Sequence, residues 1–336
     1  AGSVQYIYQF ITILVFNHIL LRLSGEMGVA VFDIVVNIGS LVTAVIDAAV
    51  LTLVPIVSTF YGERNYAAVK HTLQAALVSA FAVILCETGI FSAAAPWLCR
   101  FSGLSGEYLD RGRTALILYL AGLTLSSVNL VVCAFMQSIG CERFSYLITA
   151  LRGLLVLLPT GYFMAEWGYD RFWFSFVMTE LLVILIIGAA IVYRTRIRGV
   201  PYLHGKDRVF SKFLEGQAED ISVMIEEIQA FLEELDVSPK KAYFVALAVD
   251  ETCQLIVENG SGLKLQLTLI AEEKEIILHL RDNATRFNPM DVSDEDEHGM
   301  GLRIVKKQAK DFFYREYLGF NTLTITFEGD AIWNTK

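Results

Sequence analysis

Residues 114–140 read TALILYLAGLTLSSVNLVVCAFMQSIG and carry no formal charge. A helix over this stretch would be roughly 40 Å long, more than the ~30 Å of hydrocarbon in a bilayer. Working outward, the same reading repeats. Phe144–Ala165 contains only Arg152, and Phe172–Tyr193 only Glu180. Thr72–Cys99 contains only Glu87, Val29–Phe60 only Asp33 and Asp47, and Ser3–Leu21 no charge. Successive runs of this length predict six transmembrane helices over residues 1–198. The alternating ten-residue segments of a membrane β-barrel are absent, and a cleaved signal peptide cannot explain repeated spans.

Hydrophobic residues make up 54% of the 336 positions and charged residues 19%, with mean hydropathy +0.50. Soluble domains are less apolar and more charged. Residues 1–200 hold 12 basic and 11 acidic side chains, whereas residues 201–336 hold 15 and 25. This asymmetry excludes one soluble domain and disorder over most of the chain. The acidic second part argues against a nucleic-acid partner. Five cysteines follow neither a metal spacing nor a secreted disulfide pattern, and each reads as a small buried apolar residue.

The connections Arg22–Gly28, Tyr61–His71, Arg100–Arg113, Cys141–Arg143 and Glu166–Arg171 are short and polar. Six spans put both ends on one side. Arg194, Arg196 and Arg198 mark that side as cytosolic, which gives a multi-pass protein of the cell membrane. The loops add little, since Arg64, Lys70 and Arg143 fall inside but Arg22, Arg100, Arg111, Arg113 and Arg171 fall outside. The chain starts at Ala1 without an initiator methionine, so a longer polypeptide or a processed one is expected.

Polar groups within spans are costly and mark transport candidates. Asp33 and Asn37 are four residues apart and share a helix face, suited to holding a cation or a proton. Glu87 and Glu180 are further candidates, and Asp47, Asn129 and Gln137 are also intramembrane. The bland alternative for each is hydrogen bonding between helices. Arg152 is read as snorkelling or pairing with a carboxylate. Gly153, Pro159 and Gly161 fit a bent helix or close packing.

The segment Pro55-Ile-Val-Ser-Thr-Phe-Tyr-Gly-Glu-Arg-Asn65 resembles the turn that ends a helix in the multidrug and toxic compound extrusion (MATE) family. Ser58, Thr59, Phe60, Glu63 and Arg64 depart from that pattern. Ala134-Phe-Met-Gln-Ser-Ile-Gly140 resembles a second family segment, with Ala134 and Ser138 in place of glycines. The resemblance implies the second six-helix lobe of a twelve-helix antiporter, with a preceding lobe missing or a second copy taking its place. It also implies exchange of a small cationic or amphiphilic substrate, xenobiotics included, for Na⁺ or H⁺.

Residues 199–206 read as a linker, 207–328 as a soluble domain and 329–336 as a tail. Gln217–Leu235 is amphipathic with a helical period, and Ser238-Pro239 opens a helix to about Glu258. Lys264–Ile270, Glu275–Leu280, Phe312–Tyr317 and Thr322–Phe327 read as strands, and Gly301–Lys310 as a helix. The fold expected is an all-α polytopic bundle followed by a two-layer α+β sandwich.

Three motifs occur in the second domain. They are Ala248-Val-Asp-Glu-Thr-Cys-Gln-Leu255, Leu280-Arg-Asp-Asn-Ala-Thr-Arg-Phe-Asn-Pro289 and His298-Gly-Met-Gly-Leu-Arg-Ile-Val305. Together they resemble the GHKL (Bergerat-type) ATPases, in particular anti-sigma-factor serine kinases. The resemblance implies Glu251 as catalytic base, Asp282 as acceptor for the adenine amine, and Gly299 and Gly301 as the phosphate turn. ATP or ADP is the implied ligand, and Asn288–His298 the implied lid. Leu255 stands where the family places a magnesium-binding asparagine, so Mg²⁺ binding is not expected. Asn259, one turn later, is a distant substitute, and Ala284 replaces a glycine.

The leading expectation is a gradient-driven transporter with a regulatory nucleotide domain. The alternative is a membrane-anchored signalling protein, with a serine kinase or degenerate kinase domain and an anti-sigma-antagonist-like partner.

Overall fold

The computed structural model describes residues 2–63, 65–197, 208–215, 218–258, 264–272, 274–286, 288–289, 299–317 and 319–329. The chain forms two compact units, a helical one of residues 1–61 and 68–203 and an α+β one of residues 62–67 and 204–336.

The helical unit contains α1 (Gly2–Gly62), α2 (Tyr66–Phe101), α3 (Glu107–Ser138), α4 (Glu142–Ala150), α5 (Leu157–Ala165), α6 (Tyr169–Phe172) and α7 (Phe174–Val192). Among the described residues, five helical stretches are long and apolar enough to cross a membrane. The first of them, Gln5–Gly62, covers two of the expected spans. A straight helix of that length would reach roughly 87 Å, far beyond one bilayer. It is not straight. Gly25 interrupts it with φ 66° and ψ −160°, a backbone conformation that only glycine adopts easily.

The bundle's surface is apolar. Leu51, Val78, Ile90 and Leu185 are each 67–73% exposed. An apolar surface of this extent fits lipid rather than water. Inside, Phe16, Phe32, Phe172, Trp173 and Phe176 form an aromatic cluster with edge-to-face contacts. Hydroxyl pairs join helices, with Thr88 and Thr124 at 2.9 Å and Thr160 and Thr179 at 2.7 Å. Such bonds matter in lipid, where unpaired polar groups have no water to turn to. Cys99, Cys133 and Cys253 are buried and Cys141 is half-buried, but Cys86 is exposed on α2, contrary to the buried reading.

The bend expected around Gly153 and Pro159 takes the form of a wide π-type turn, Leu151–Leu155, closed by Val156 N–H donating to Leu151 O at 2.9 Å. Proline lacks an N–H and crowds the carbonyl four residues earlier, so the helix widens before Pro159. A second such turn, Tyr193–Ile197, ends the helical unit and carries Arg194 and Arg196.

The α+β unit contains β1 (Val209–Glu215), α8 (Ala218–Glu234), α9 (Pro239–Glu258), β2 (Lys264–Ala271), β3 (Glu275–Asp282), α10 (Gly299–Gln308), β4 (Ala309–Tyr317) and β5 (Phe320–Glu328). The strands form one antiparallel sheet ordered β1-β2-β3-β5-β4. Strand β1 escaped the sequence reading, because its apolar residues come in pairs, Val209-Phe210 and Phe213-Leu214, separated by Ser211 and Lys212, rather than in alternation. The last helix stops at Gln308 rather than Lys310, since Ala309 and Lys310 already belong to β4.

Cross-strand register aligns the core. Leu267 faces Leu280, which faces Leu323, and Leu269 faces Leu278, which faces Ile325. All six are buried, together with Ile221, Met224, Ile228 and Leu232 of α8 and Val245, Ala248, Val249 and Ile256 of α9. Burying each of the Leu, Ile, Val and Met side chains contributes about 1.5–3 kcal/mol before entropy is counted. The next inward row pairs Leu265 with Asp282 and Asp282 with Asn321. The pleat that builds the core therefore also turns two polar side chains inward at the sheet's end.

Candidate functional site

The helical unit contains an open cavity of about 390 Å³. Arg152, on the wide turn, pairs there with Glu180 of α7. The guanidinium Nη2 lies 2.8 Å from Glu180 Oε1, and Nε donates to Oε2 at 2.9 Å. Arg152 Nη2 also donates to Ser126 Oγ. Asn129 Nδ2 donates to Glu180 Oε2 at 2.6 Å and to its backbone oxygen at 3.1 Å. The side chains of Arg152 and Glu180 are 16% and 12% exposed. A fork-on-carboxylate pair at this depth is strong and geometrically exacting. Thr12 Oγ1 donates to Gly153 O at 2.7 Å, which ties α1 to the same turn. Gly153 lets the Tyr8 side chain approach closely.

Of the residues read as transport candidates, Glu180 lines this cavity. Asp33 and Asn37 share an exposed face of α1 outside it. Glu87 is half-buried on α2, also outside the lining, and its Oε2 is buried with no hydrogen-bond partner among the described residues. Asp47 and Gln137 do line the cavity. Sequence reasoning did not join Arg152 to Glu180, although each is the one charge in its span and such charges tend to find each other.

In the α+β unit, Asp282 is 3% exposed at the end of β3. Its Oδ1 accepts from Ala284 N–H and from Asn321 Nδ2, both at 2.8 Å. Asn321 is held in turn by Tyr314 O–H, donating to its Oδ1 at 2.7 Å, and it donates to Ala284 O at 3.2 Å. Burial pushes the Asp282 carboxyl above the usual range, and the bonds from Asn321 and Ala284 offset part of that rise. Among the described residues both of its hydrogen bonds fall on Oδ1, so Oδ2 remains to accept from a ligand N–H. Asn321 and Tyr314 were not picked out as site residues. An asparagine in phase with Leu323, Ile325 and Phe327 on a core-facing strand was the signal available.

Glu251 sits half-buried on α9. Its carboxyl group lies flush against the backbone of Gly301 in the first turn of α10, where a Cβ would run into it. The glycine thus makes room for a carboxylate, at a helix start that favours negative charge. A phosphate placed there would meet that carboxylate. Gly299 opens the same helix. Leu255 is buried and offers no metal ligand. Among the described residues no cluster of His, Cys, Asp or Glu could hold a metal ion. Asn259 and all of the lid beyond Pro289 up to His298 lie outside the described residues.

With this geometry in view, residues 2–163 match the MatE family and residues 214–327 the histidine kinase-like ATPase domain. A MATE-type multi-pass membrane domain is therefore joined to a soluble GHKL-like ATPase domain. No curated protein matches the chain. Among solved structures, it resembles a MATE transporter in complex with MaL6 (22% identity, TM-score 0.53, 59% of this chain and 45% of that one). It also resembles an outward-facing multidrug resistance MATE family transporter of the MOP superfamily (22%, 0.54, 59% and 44%). A third is a MOP superfamily transporter from Pyrococcus furiosus, described as having a binding pocket of reversed polarity (22%, 0.53, 59% and 44%). At this identity the likeness is one of fold. The chain spans less than half the length of these transporters.

Proposed function

We propose that this chain moves a small amphiphilic or cationic substrate across the cell membrane by alternating access, driven by a Na⁺ or H⁺ gradient. The soluble domain regulates it by binding ATP or ADP. The observation that carries this reading is the cavity at Arg152 and Glu180 inside a bundle that matches the MatE family. Buried charge in a membrane bundle marks a substrate or ion path. The break at Gly25 supports six crossings rather than five. With six, both ends share one side, and Arg194 and Arg196 favour the cytosolic side for the soluble domain. A second lobe, from another stretch of polypeptide or from a second copy, completes the cleft; the present residues correspond to the second lobe. Asp33, Asn37 and Glu87 keep a proposed coupling role outside the cavity.

Nucleotide binding draws on the Asp282–Asn321 network. With Leu255 in place of a metal ligand, Mg²⁺ should add little and turnover should be slow. A second reading, a signalling protein acting on an anti-sigma-antagonist-like partner, draws on Glu251 of α9, whose carboxyl group lies against the first turn of α10. The missing metal ligand weighs against it.

Flux of a cationic and a zwitterionic dye into proteoliposomes, under imposed Na⁺ or H⁺ gradients and with or without ATP, tests the proposal. Gradient-dependent flux that responds to nucleotide and falls in Glu180→Gln is expected. Equal dye movement in protein-free vesicles under every gradient would overturn it.

A further inference from the structure

The connection between α1 and α2, within residues 62–67, belongs to the α+β unit. Strand register shows where it sits. Leu267, Leu269, Leu278 and Leu280 point into the core with α8 and α9. Thr268 and Arg281 alternate with them, and Ser211 is the cross-strand partner of Thr268, so all three lie on the opposite face of the sheet. One amide spans the Ser211–Thr268 pair. Asn65 Nδ2 donates to Ser211 Oγ and to Thr268 Oγ1, each at 3.1 Å. Asn65 is 1% exposed and Thr268 2%. A threonine so buried on the face away from the helices needs a cover, and Asn65 supplies it. On the next strand the Arg281 guanidinium donates from Nη2 to Glu63 Oε1. Both side chains of this pair are mostly buried. A charge-assisted bond so placed is stronger than an exposed one. Glu63 is a departure from the MATE-like turn, and its partner stands in the GHKL-like motif Leu280–Pro289.

Arg281 immediately precedes Asp282 on β3, and successive side chains of a strand point to opposite faces. The anchor of the connection and the proposed adenine contact are therefore neighbours on one strand end. A connection seated on Arg281 fixes the backbone that positions Asp282, and such preorganisation strengthens binding. We propose that the α1–α2 connection is a regulatory latch. Seated by Glu63 and Asn65, it holds the end of β3 in the form that receives nucleotide at Asp282. Bound nucleotide in turn keeps the latch seated and so restrains the end that α1 and α2 share. Linkage makes the two effects equal: seating strengthens nucleotide binding by the factor by which nucleotide strengthens seating. This rests on reading the soluble domain as a nucleotide-binding regulator of transport, and it names the residues that carry its signal.

ATP binding is measured by calorimetry on the full chain in lipid nanodiscs. Glu63→Ala, Asn65→Ala and Arg281→Ala should each weaken it by about fivefold or more, although all three side chains belong to the face away from Asp282. Glu63→Ala combined with Arg281→Ala should lose no more than either alone, the mark of two residues acting as a pair. Hydrogen exchange over residues 62–67 should slow when ATP is added to the unaltered chain and ignore ATP in Glu63→Ala. Dye flux in Glu63→Ala should persist but lose its response to ATP. Glu63→Gln, which keeps the shape and removes the charge, serves the same readouts if Glu63→Ala fails to fold. Unchanged ATP affinity in the Glu63 and Asn65 variants, additive losses in the double variant, or a full flux response to ATP in Glu63→Ala overturns the latch and leaves nucleotide regulation standing. Absence of ATP binding to the unaltered chain, or flux through it that ignores ATP, overturns both.

Discussion

Asp282 and Asn321 show how one inward-facing row of a sheet becomes a recognition site. Without Asn321 and Ala284, the buried carboxylate would be an uncompensated polar group. With them, one oxygen is anchored and the other is aimed. An adenine amine donates, so Asp282 has to be ionised to receive it well. Burial raises its pKa, which moves the loss of binding upward in pH. ATP affinity measured by calorimetry should therefore weaken on acidification at a pH above the ~3.9 of an unperturbed aspartate. Asp282→Asn turns an acceptor into a group that also donates. It should cost roughly ten- to hundredfold in affinity, the scale of one charged hydrogen bond. A flat pH profile would remove Asp282 from the adenine contact. The residue types of Glu251, Asp282 and Gly301 were legible from sequence. Their surroundings were not, because Tyr314 and Asn321 reach Asp282 only through strand pairing.

At the scale of elements, Gly25 and the Leu151–Leu155 turn set the shape of the helical unit. Gly25 has nothing within 4 Å of a built Cβ, so space is no obstacle to a side chain there. The obstacle is its φ of 66° with ψ −160°. Gly25→Ala should destabilise the bundle by about 1–3 kcal/mol, seen as a lower melting temperature in detergent. An unchanged melting temperature would mean that the break is not needed. The hydrophobic runs announced the helices, since length and apolarity suffice to predict a span. The joining of the first two into one interrupted helix was hidden, because a short Gly-containing connection reads equally as a loop or as a kink. The wide turn before Pro159 was legible as a bend. That it carries Arg152 to Glu180 was not, since helices distant in sequence meet there.

At the scale of the whole molecule, the two units answer to different solvents and should respond differently to pH. In the α+β unit, burial and the neighbouring Arg281 push the His279 pKa down to about 4, and its Nδ1 lies 2.9 Å from Thr324 Oγ1. The imidazole is thus neutral when folded. The unfolded chain takes up a proton below about pH 6.5, so stability is intact above that value and declines as pH falls toward 4. Asp282 acts with the opposite sign, since its raised pKa favours the folded state more as it protonates. Over pH 7 to 5 the histidine dominates, and this unit should lose about 1–2 kcal/mol. Calorimetry of the full chain should show its soluble transition shifting down over that range, with the shift reduced in His279→Gln. A transition that stays put would mean that His279 is solvated.

By itself the sequence determined that the first 200 residues belong in lipid and the remainder in water. Charge and hydropathy act locally, and each stretch chooses its solvent from its own composition. It also determined which residue types stand at the nucleotide-like motifs, for those are read in order along one strand end and two helices. Only the tertiary structure decided that Arg152 neutralises Glu180, that Asn321 anchors Asp282, and that Gly301 makes room for Glu251. Each of these depends on side chains from separate elements meeting at hydrogen-bond or van der Waals distance. That meeting is fixed by packing and strand register rather than by any single stretch of chain.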